Sequence, residues 1–228
     1  MCVLTACAGE NKPSSEAARA STSPTKTSQA TESSAKPSPV AAAESGLSRT
    51  VSAKANIFGA GLDVPPSPGG GGGGELPATW RLPAGEKRTV TFPSITGQVN
   101  PIADNGLWNS AAGDLRGVTN VKSYDGVAGI VHRKNGMFLV GVFLTEDPPA
   151  DPAPPRLDFT KRDRFKVLAP RIGQTFLVGD GRGHRYRVPP RATRLFVGFA
   201  DSYFYQGDPG WYGNNTGELV VTLHVARG

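Results

Sequence analysis

The sequence predicts an all-β fold, a β-sandwich of jelly-roll type, preceded by a disordered N-terminal tether. Helical periodicity is absent nearly everywhere, short apolar stretches alternate with polar residues at a spacing of two, and 29 glycines and 20 prolines punctuate them. No aromatic residue precedes Phe58. Residues 8–48 are almost entirely Ser, Thr, Ala, Pro, Lys and Glu, too poor in large apolar side chains to offset the entropy of ordering them. The expected organisation is therefore residues 1–7 as the remnant of an export signal, 8–48 as linker and 49–228 as one domain, long enough to bury a core without disulfides.

Both cysteines, Cys2 and Cys7, lie in the first seven residues. Leu4-Thr5-Ala6-Cys7 resembles the bacterial lipobox, in which the cysteine is lipidated. The apolar run before it is too short for a signal peptide, so either the start lies upstream of Met1, which is the expectation here, or the match is chance. Cys7 is the expected lipidation site, and the tether after it suits a domain held at, but reaching away from, a membrane. An extracytoplasmic location, cell-envelope or secreted, follows as an expectation, with the membrane a partner only through that lipid. No stretch approaches the length of an apolar membrane helix.

The elements follow in order. Arg49 to Phe58 reads as an edge or capping strand, with Val51, Ala53, Ala55 and Ile57 on one face. Gly59 to Glu75 contains Pro65-Pro66, Ser67-Pro68 and six glycines, Gly69 to Gly74. It lacks the Lys and Ser/Thr of a phosphate loop and reads as a flexible surface loop. Lys87 to Phe92 is a strand with Val90 and Phe92 inward. Gly97 to Gly117 has no sustained period but contains Asn100, Asp104, Asn105 and Asp114. Val127 to His132 and Met137 to Leu144 flank Asn135-Gly136, which predicts a hairpin. The second run is apolar throughout, as a strand buried on both faces would be. His132 reads as a strand-end residue.

Asp147 to Pro155 is a Pro-rich connector. Gly173 to Val178 and His184 to Val188 flank Gly179-Asp-Gly-Arg-Gly183 as a second predicted hairpin. Thr193 to Phe199 carries Leu195, Val197 and Phe199 on one face. The last strand alternates, with Leu219, Val221, Leu223 and Val225 inward and Glu218, Thr222 and His224 outward.

The net charge of +6 invites a nucleic-acid partner. The densest basic cluster, Arg182, Arg185, Arg187, Arg191 and Arg194, alternates along a strand, lacks interleaved aromatic platforms, and reads as a solvated face. Nucleic acid is not an expected partner. The chain carries no HExxH, no GxSxG and no cysteine in the domain, so an enzyme is not expected either.

The chemistry concentrates between the last two strands. Apolar Leu195 to Ala200 ends on Asp201. Ser202-Tyr-Phe-Tyr-Gln-Gly-Asp-Pro-Gly-Trp-Tyr-Gly213 follows, then Asn214-Asn-Thr-Gly217 before the closing strand. A carboxylate and adjacent carboxamides between glycines are oxygen donors of the kind calcium takes, while an Asx turn is the other reading of Asn-Asn-Thr-Gly.

Asp201, Pro209-Gly210, Tyr212-Gly213-Asn214-Asn215 and Gly217 resemble the bacterial calcium-dependent galactophilic lectins, which have a galactose-binding-domain-like fold. That resemblance implies a calcium held by Asp201, Asn214, Asn215 and the carbonyl of Trp211, with a further carbonyl from around Gln98 to Pro101. It also implies a glycan whose hydroxyls complete the shell, bound by Asp201, Ser202, Tyr203, Trp211, Tyr212 and Asn214. The inserted Ser202-Tyr-Phe-Tyr-Gln-Gly lengthens the loop relative to the family. The expected function is a calcium-dependent carbohydrate-binding module. The alternative is a structural or adhesive surface domain in which calcium only stabilises the loop.

Overall fold

Strands form where β-branched and aromatic residues alternate, and they are short because Gly and Pro interrupt them. A computed structural model describes residues 46–103 and 105–228. They belong to the unit Ala43–Gly228; Cys7, residues 8–45 of the expected linker, and Asp104 lie outside the described residues.

In chain order the strands are β1 (Leu47–Ser52), β2 (Ala78–Arg81), β3 (Arg88–Asn100), β4 (Thr119–Val121), β5 (Ile130–His132), β6 (Leu139–Leu144) and β7 (Leu157–Asp158). They continue with β8 (Val167–Leu168), β9 (Phe176–Leu177), β10 (Arg185–Arg187), β11 (Arg194–Phe199), β12 (Gln206–Gly207) and β13 (Thr216–Arg227). The only helical elements among the described residues are single 3-10 turns at Ile57–Gly59, Tyr203–Tyr205 and Tyr212–Asn214. The fold is all-β.

The strands make three sheets, ordered β1-β13-β3-β10-β8, β2-β11-β6-β9 and β12-β4-β5-β7. The first is built on β3 and β13, which run antiparallel along almost their whole lengths. Their register shifts between Thr222 and His224, opposite the stretch of β3 that holds Pro93, whose missing N–H a bulge accommodates. Leu219, Val221 and Leu223 point into the core, as their alternation requires, while Val225 is half-buried. A continuous core draws Trp80, Phe143, Phe176, Tyr186, Phe199 and Leu219 from the first two sheets and Val121 and Ile130 from the third. β6 is buried at every position and lies inside its sheet between β11 and β9, as its unbroken apolar run predicts.

Both predicted hairpins are corrected. β5 pairs with β4 and β7, whereas β6 pairs with β11 and β9, so Asn135-Gly136 turns the chain from one sheet into another. The Asn135 side chain is buried and its amide donates to the Ala112 carbonyl at 2.7 Å; Thr119 Oγ1 donates to the Asn135 carbonyl at 2.8 Å. β9 and β10 likewise belong to different sheets. A Gly-rich turn specifies a change of direction and not a partner: β5 and β6 are both buried at every position, so each can be satisfied by other neighbours, while β10, unlike β9, has two exposed positions. The first strand is an edge strand as expected, but it ends at Ser52, and Ile57 lies in a 3-10 turn capped by Asn56, whose Oδ1 accepts from the Phe58 N–H at 2.9 Å. His132 ends β5, buried against Phe138.

Candidate metal and ligand site

β11 is driven into the core by its apolar residues, and its end fixes the start of the site. The phenol of Tyr212 accepts from the Asp201 N–H at 2.9 Å and donates to the Phe199 carbonyl at 2.9 Å, clamping the chain where it leaves the sheet. The Gly210 N–H donates to the Asp201 carbonyl at 3.1 Å, and Ser202 bridges Pro209, closing the neck of the loop. The inserted segment is itself built in: β12 pairs with β4, and the Lys122 N–H donates to the Gly207 carbonyl at 2.8 Å.

At this neck oxygens gather. Asp201 is 3% exposed; its Oδ1 accepts from the Ser202 N–H at 2.8 Å and its Oδ2 from Asn215 Nδ2 at 2.8 Å. Asn215 Nδ2 also donates to the Ala53 carbonyl at 3.1 Å, so its Oδ1 is turned away from these partners. Asn215 Oδ1, Asn214 Oδ1 and Ser202 Oγ are all buried and lack a hydrogen-bond partner. Two of these oxygens, Ser202 Oγ and Asn214 Oδ1, belong to residues that line a pocket with Asp201, and their desolvation is a cost that a bound cation would remove. One carboxylate with neutral oxygens is the kind of donor set that a hard cation of irregular geometry, such as calcium, could take. Among the described residues no three His, Cys, Asp or Glu side chains gather as a metal-binding group, so a metal here would depend on neutral oxygens around the single carboxylate of Asp201.

Burial pushes the Asp201 carboxyl up to about 7, against the two hydrogen bonds that favour its charged form. Tyr212 and Tyr205 are raised as well, first by burial and then by the charge of Asp201, which keeps both phenols neutral.

Asp201, Ser202, Tyr203, Trp211 and Asn214 line one pocket of about 150 Å³, together with Phe204, Tyr205, Pro101 and Ile102. Asn215 lies beneath it, bonded to Asp201. Tyr212, expected at the ligand, is fully buried with its hydroxyl committed to backbone, so it supports the site from behind. From the stretch around Gln98 to Pro101, Pro101 reaches the pocket, and the Ala103 N–H donates to the Asn214 carbonyl at 2.7 Å. Tyr203 and Phe204 are 57% and 70% exposed. The Tyr203 ring lies 4.8 Å from that of Trp211, which makes an aromatic rim.

The glycine run is the main correction at the site. Instead of forming a flexible loop, Gly69 to Gly74 lies against the loop carrying Trp211. The Trp211, Tyr212 and Gly213 N–H groups donate to the carbonyls of Gly70, Gly72 and Gly71 at 2.8, 3.1 and 3.1 Å, and the Gly69 N–H donates to Pro209 at 2.8 Å. Trp211 Nε1 donates to the Gly69 carbonyl at 3.0 Å. Asn56, wholly buried, closes the far side by donating from Nδ2 to the carbonyls of Pro66 and Gly73 at 2.8 and 3.0 Å. Glycine is required because two backbones meet face to face: a Cβ at Gly71 would lie 2.7 Å from the Trp211 Cα. The signal for this was Asn56, a polar residue amid apolar ones, which needs buried partners.

No family model matches the chain, and no curated protein matches it in sequence.

Proposed function

We propose that the domain is a calcium-dependent carbohydrate-binding module of the galactophilic-lectin kind, with the β1-β13-β3-β10-β8 and β2-β11-β6-β9 sheets opposed as a jelly-roll sandwich and the whole held outside the cell by a lipid on Cys7. One observation carries the reading: the buried, unpartnered oxygens of Ser202 and Asn214 belong to residues that line one pocket with Asp201, rimmed by exposed aromatic rings. Asp201, Asn214, Asn215 and the Trp211 carbonyl would hold the ion, with Ser202 Oγ as a further donor. Bound calcium supplies a positive centre for vicinal sugar hydroxyls. The pocket is too small to enclose a large ligand, which suits a sugar seated at the mouth with its apolar face on Tyr203 and Trp211.

The structural reading has one observation in its favour. Asn215 ties Asp201 to Ala53, so an ion there would also join the last loop to the segment after β1.

A glycan panel probed with and without chelator separates the two. The lectin reading expects binding that excess chelator abolishes. Tyr203, unlike Trp211, donates no side-chain hydrogen bond that anchors the glycine run. Tyr203→Ala is therefore expected to weaken sugar binding by about tenfold, the order of one lost aromatic contact, while leaving the calcium response unchanged. Calcium binding with no glycan recognised favours the structural role, and sugar binding that persists in chelator rejects the lectin mechanism.

A further inference from the structure

The net positive charge of the chain comes from one stretch. Residues 161–194 hold ten Lys and Arg against two Asp, a net +8, whereas all other residues hold 15 basic and 17 acidic side chains, a net −2. The fold gathers much of this stretch on one border of the five-stranded sheet. β8 is the edge strand and pairs parallel with β10, with Arg185 opposite Val167. The Arg185 N–H donates to the Lys166 carbonyl at 3.0 Å. Tyr186 is buried between Arg185 and Arg187, which are both exposed. Just before β8, the turn carrying Lys161, Arg162 and Arg164 is held beside β10 by Phe165, whose ring stacks 4.1 Å from that of His184. Next inward, Arg187 pairs with Thr89 of β3, and Thr91 follows on the same wet face.

Among the described residues, Lys161, Arg162, Arg164, Lys166, Arg185 and Arg187 are exposed and none makes a salt bridge; Arg182 alone on this border meets a carboxylate, Asp180 at 3.8 Å. Edge strands are guarded by charge, but one or two lysines of either sign context achieve that, and a single-sign field of this density is of another order. It attracts an anion that spans several arginines, each able to grip sulfate or phosphate with two N–H groups. The rings here are engaged: Tyr186 is buried and Phe165 is stacked on His184, so no exposed aromatic platform is offered to nucleic-acid bases. Threonine hydroxyls beside arginines match a carbohydrate backbone bearing charged esters. The chain's own first 45 residues are no occupant, since their four basic and four acidic side chains cancel.

We infer that the β8–β10 border binds a polysaccharide carrying sulfate or phosphate esters, through Arg164, Lys166, Arg185 and Arg187. This surface is separate from the calcium site: Arg187 reaches Ala226 through Thr89, and Ala226 is eleven residues along β13 from Asn215, roughly 35 Å at the rise of a strand. Its binding is independent of calcium and of the function proposed above.

The test uses the full chain in EDTA at 150 mM NaCl, with a heparin-derived oligosaccharide as the sulfated probe and phosphomannan as the phosphorylated one. Binding of either probe is expected, and which one binds identifies the ester. Serine at all four positions should weaken it at least tenfold with an unchanged thermal midpoint, while serine at Arg81, Arg116, Lys122 and Arg133 removes equal charge with less than a threefold effect. No binding of either probe, or an equal loss in both variants, overturns the proposal. Duplex DNA or phosphatidylglycerol vesicles bound more tightly than both probes would overturn the choice of polysaccharide.

Discussion

Alanine at Gly71 is expected to destabilise the domain by about 3 kcal/mol or more, far beyond alanine at the adjacent Gly70. Both glycines have positive φ, +68° and +80°, so both substitutions incur the left-handed cost of roughly 1–2 kcal/mol. Only at Gly71 would the added Cβ meet other atoms, 2.5 Å from Trp211 Cδ2 and 2.7 Å from its Cα; at Gly70 nothing lies within 4 Å. Overpacking of this kind adds about 1–3 kcal/mol, and here it falls on backbone that has no rotamer to change. Urea unfolding of the two variants measures the difference. Equal midpoints would mean that the glycine run does not buttress the loop.

That run also marks where sequence reasoning stopped. Alternation placed Val90, Phe92, Leu195, Val197, Phe199, Leu219 and Leu223 on buried faces, and all of them are in the core, because period-two burial is a local property of a strand. Partner choice is not local. Asn135-Gly136 looked like a hairpin and proved a crossing between sheets, since the apolar faces of β5 and β6 are satisfied by different neighbours. Six glycines offer no side chain whose chemistry could announce a contact. Their order comes from carbonyls of Gly70, Gly71 and Gly72 meeting amides of Trp211, Gly213 and Tyr212, which the glycines themselves do not encode and which only Asn56, a polar residue amid apolar ones, hints at. The site divides in the same way. Asp201 and the Asn pair were legible as oxygen donors, but the role of Tyr212 was misplaced, because an aromatic residue in a loop reads alike whether it rims a pocket or holds its floor.

The second large effect is on pH dependence. In metal-free protein the Asp201 carboxyl is raised from 3.8 to about 7, with burial the leading cause. A group with a raised folded-state value contributes its stability below the unfolded value and loses it as pH rises toward the folded one. Metal-free wild type should therefore lose about 3 kcal/mol from this group between pH 4 and pH 7 and little more above. Asp201→Asn removes the titration, so the difference in unfolding free energy between variant and wild type should drift in favour of the variant across that window, whatever the absolute level. Calcium should reverse the loss, and its apparent affinity should fall by about tenfold per pH unit below about 7, since the ion competes with one proton. Denaturant unfolding from pH 4 to 8, in EDTA and in calcium, reads all three. A constant offset between wild type and Asp201→Asn would place the carboxyl's titration at its ordinary value and remove the strain ascribed to the site.

Calcium titration of wild type and Asp201→Ala at pH 8, followed by calorimetry and by thermal midpoint, bears most directly on the central claim. In the proposed site the Asp201 carboxylate would supply the one charge, beside neutral oxygens of Asn214, Asn215, Ser202 and the Trp211 carbonyl. Its low ligand charge predicts one weak site per chain, on the order of 10⁻⁴ to 10⁻³ M. The wild-type midpoint should rise with calcium by mass action, and Asp201→Ala should show neither the heat nor the rise. An equal calcium response in the two proteins, or none in the wild type, would contradict the account.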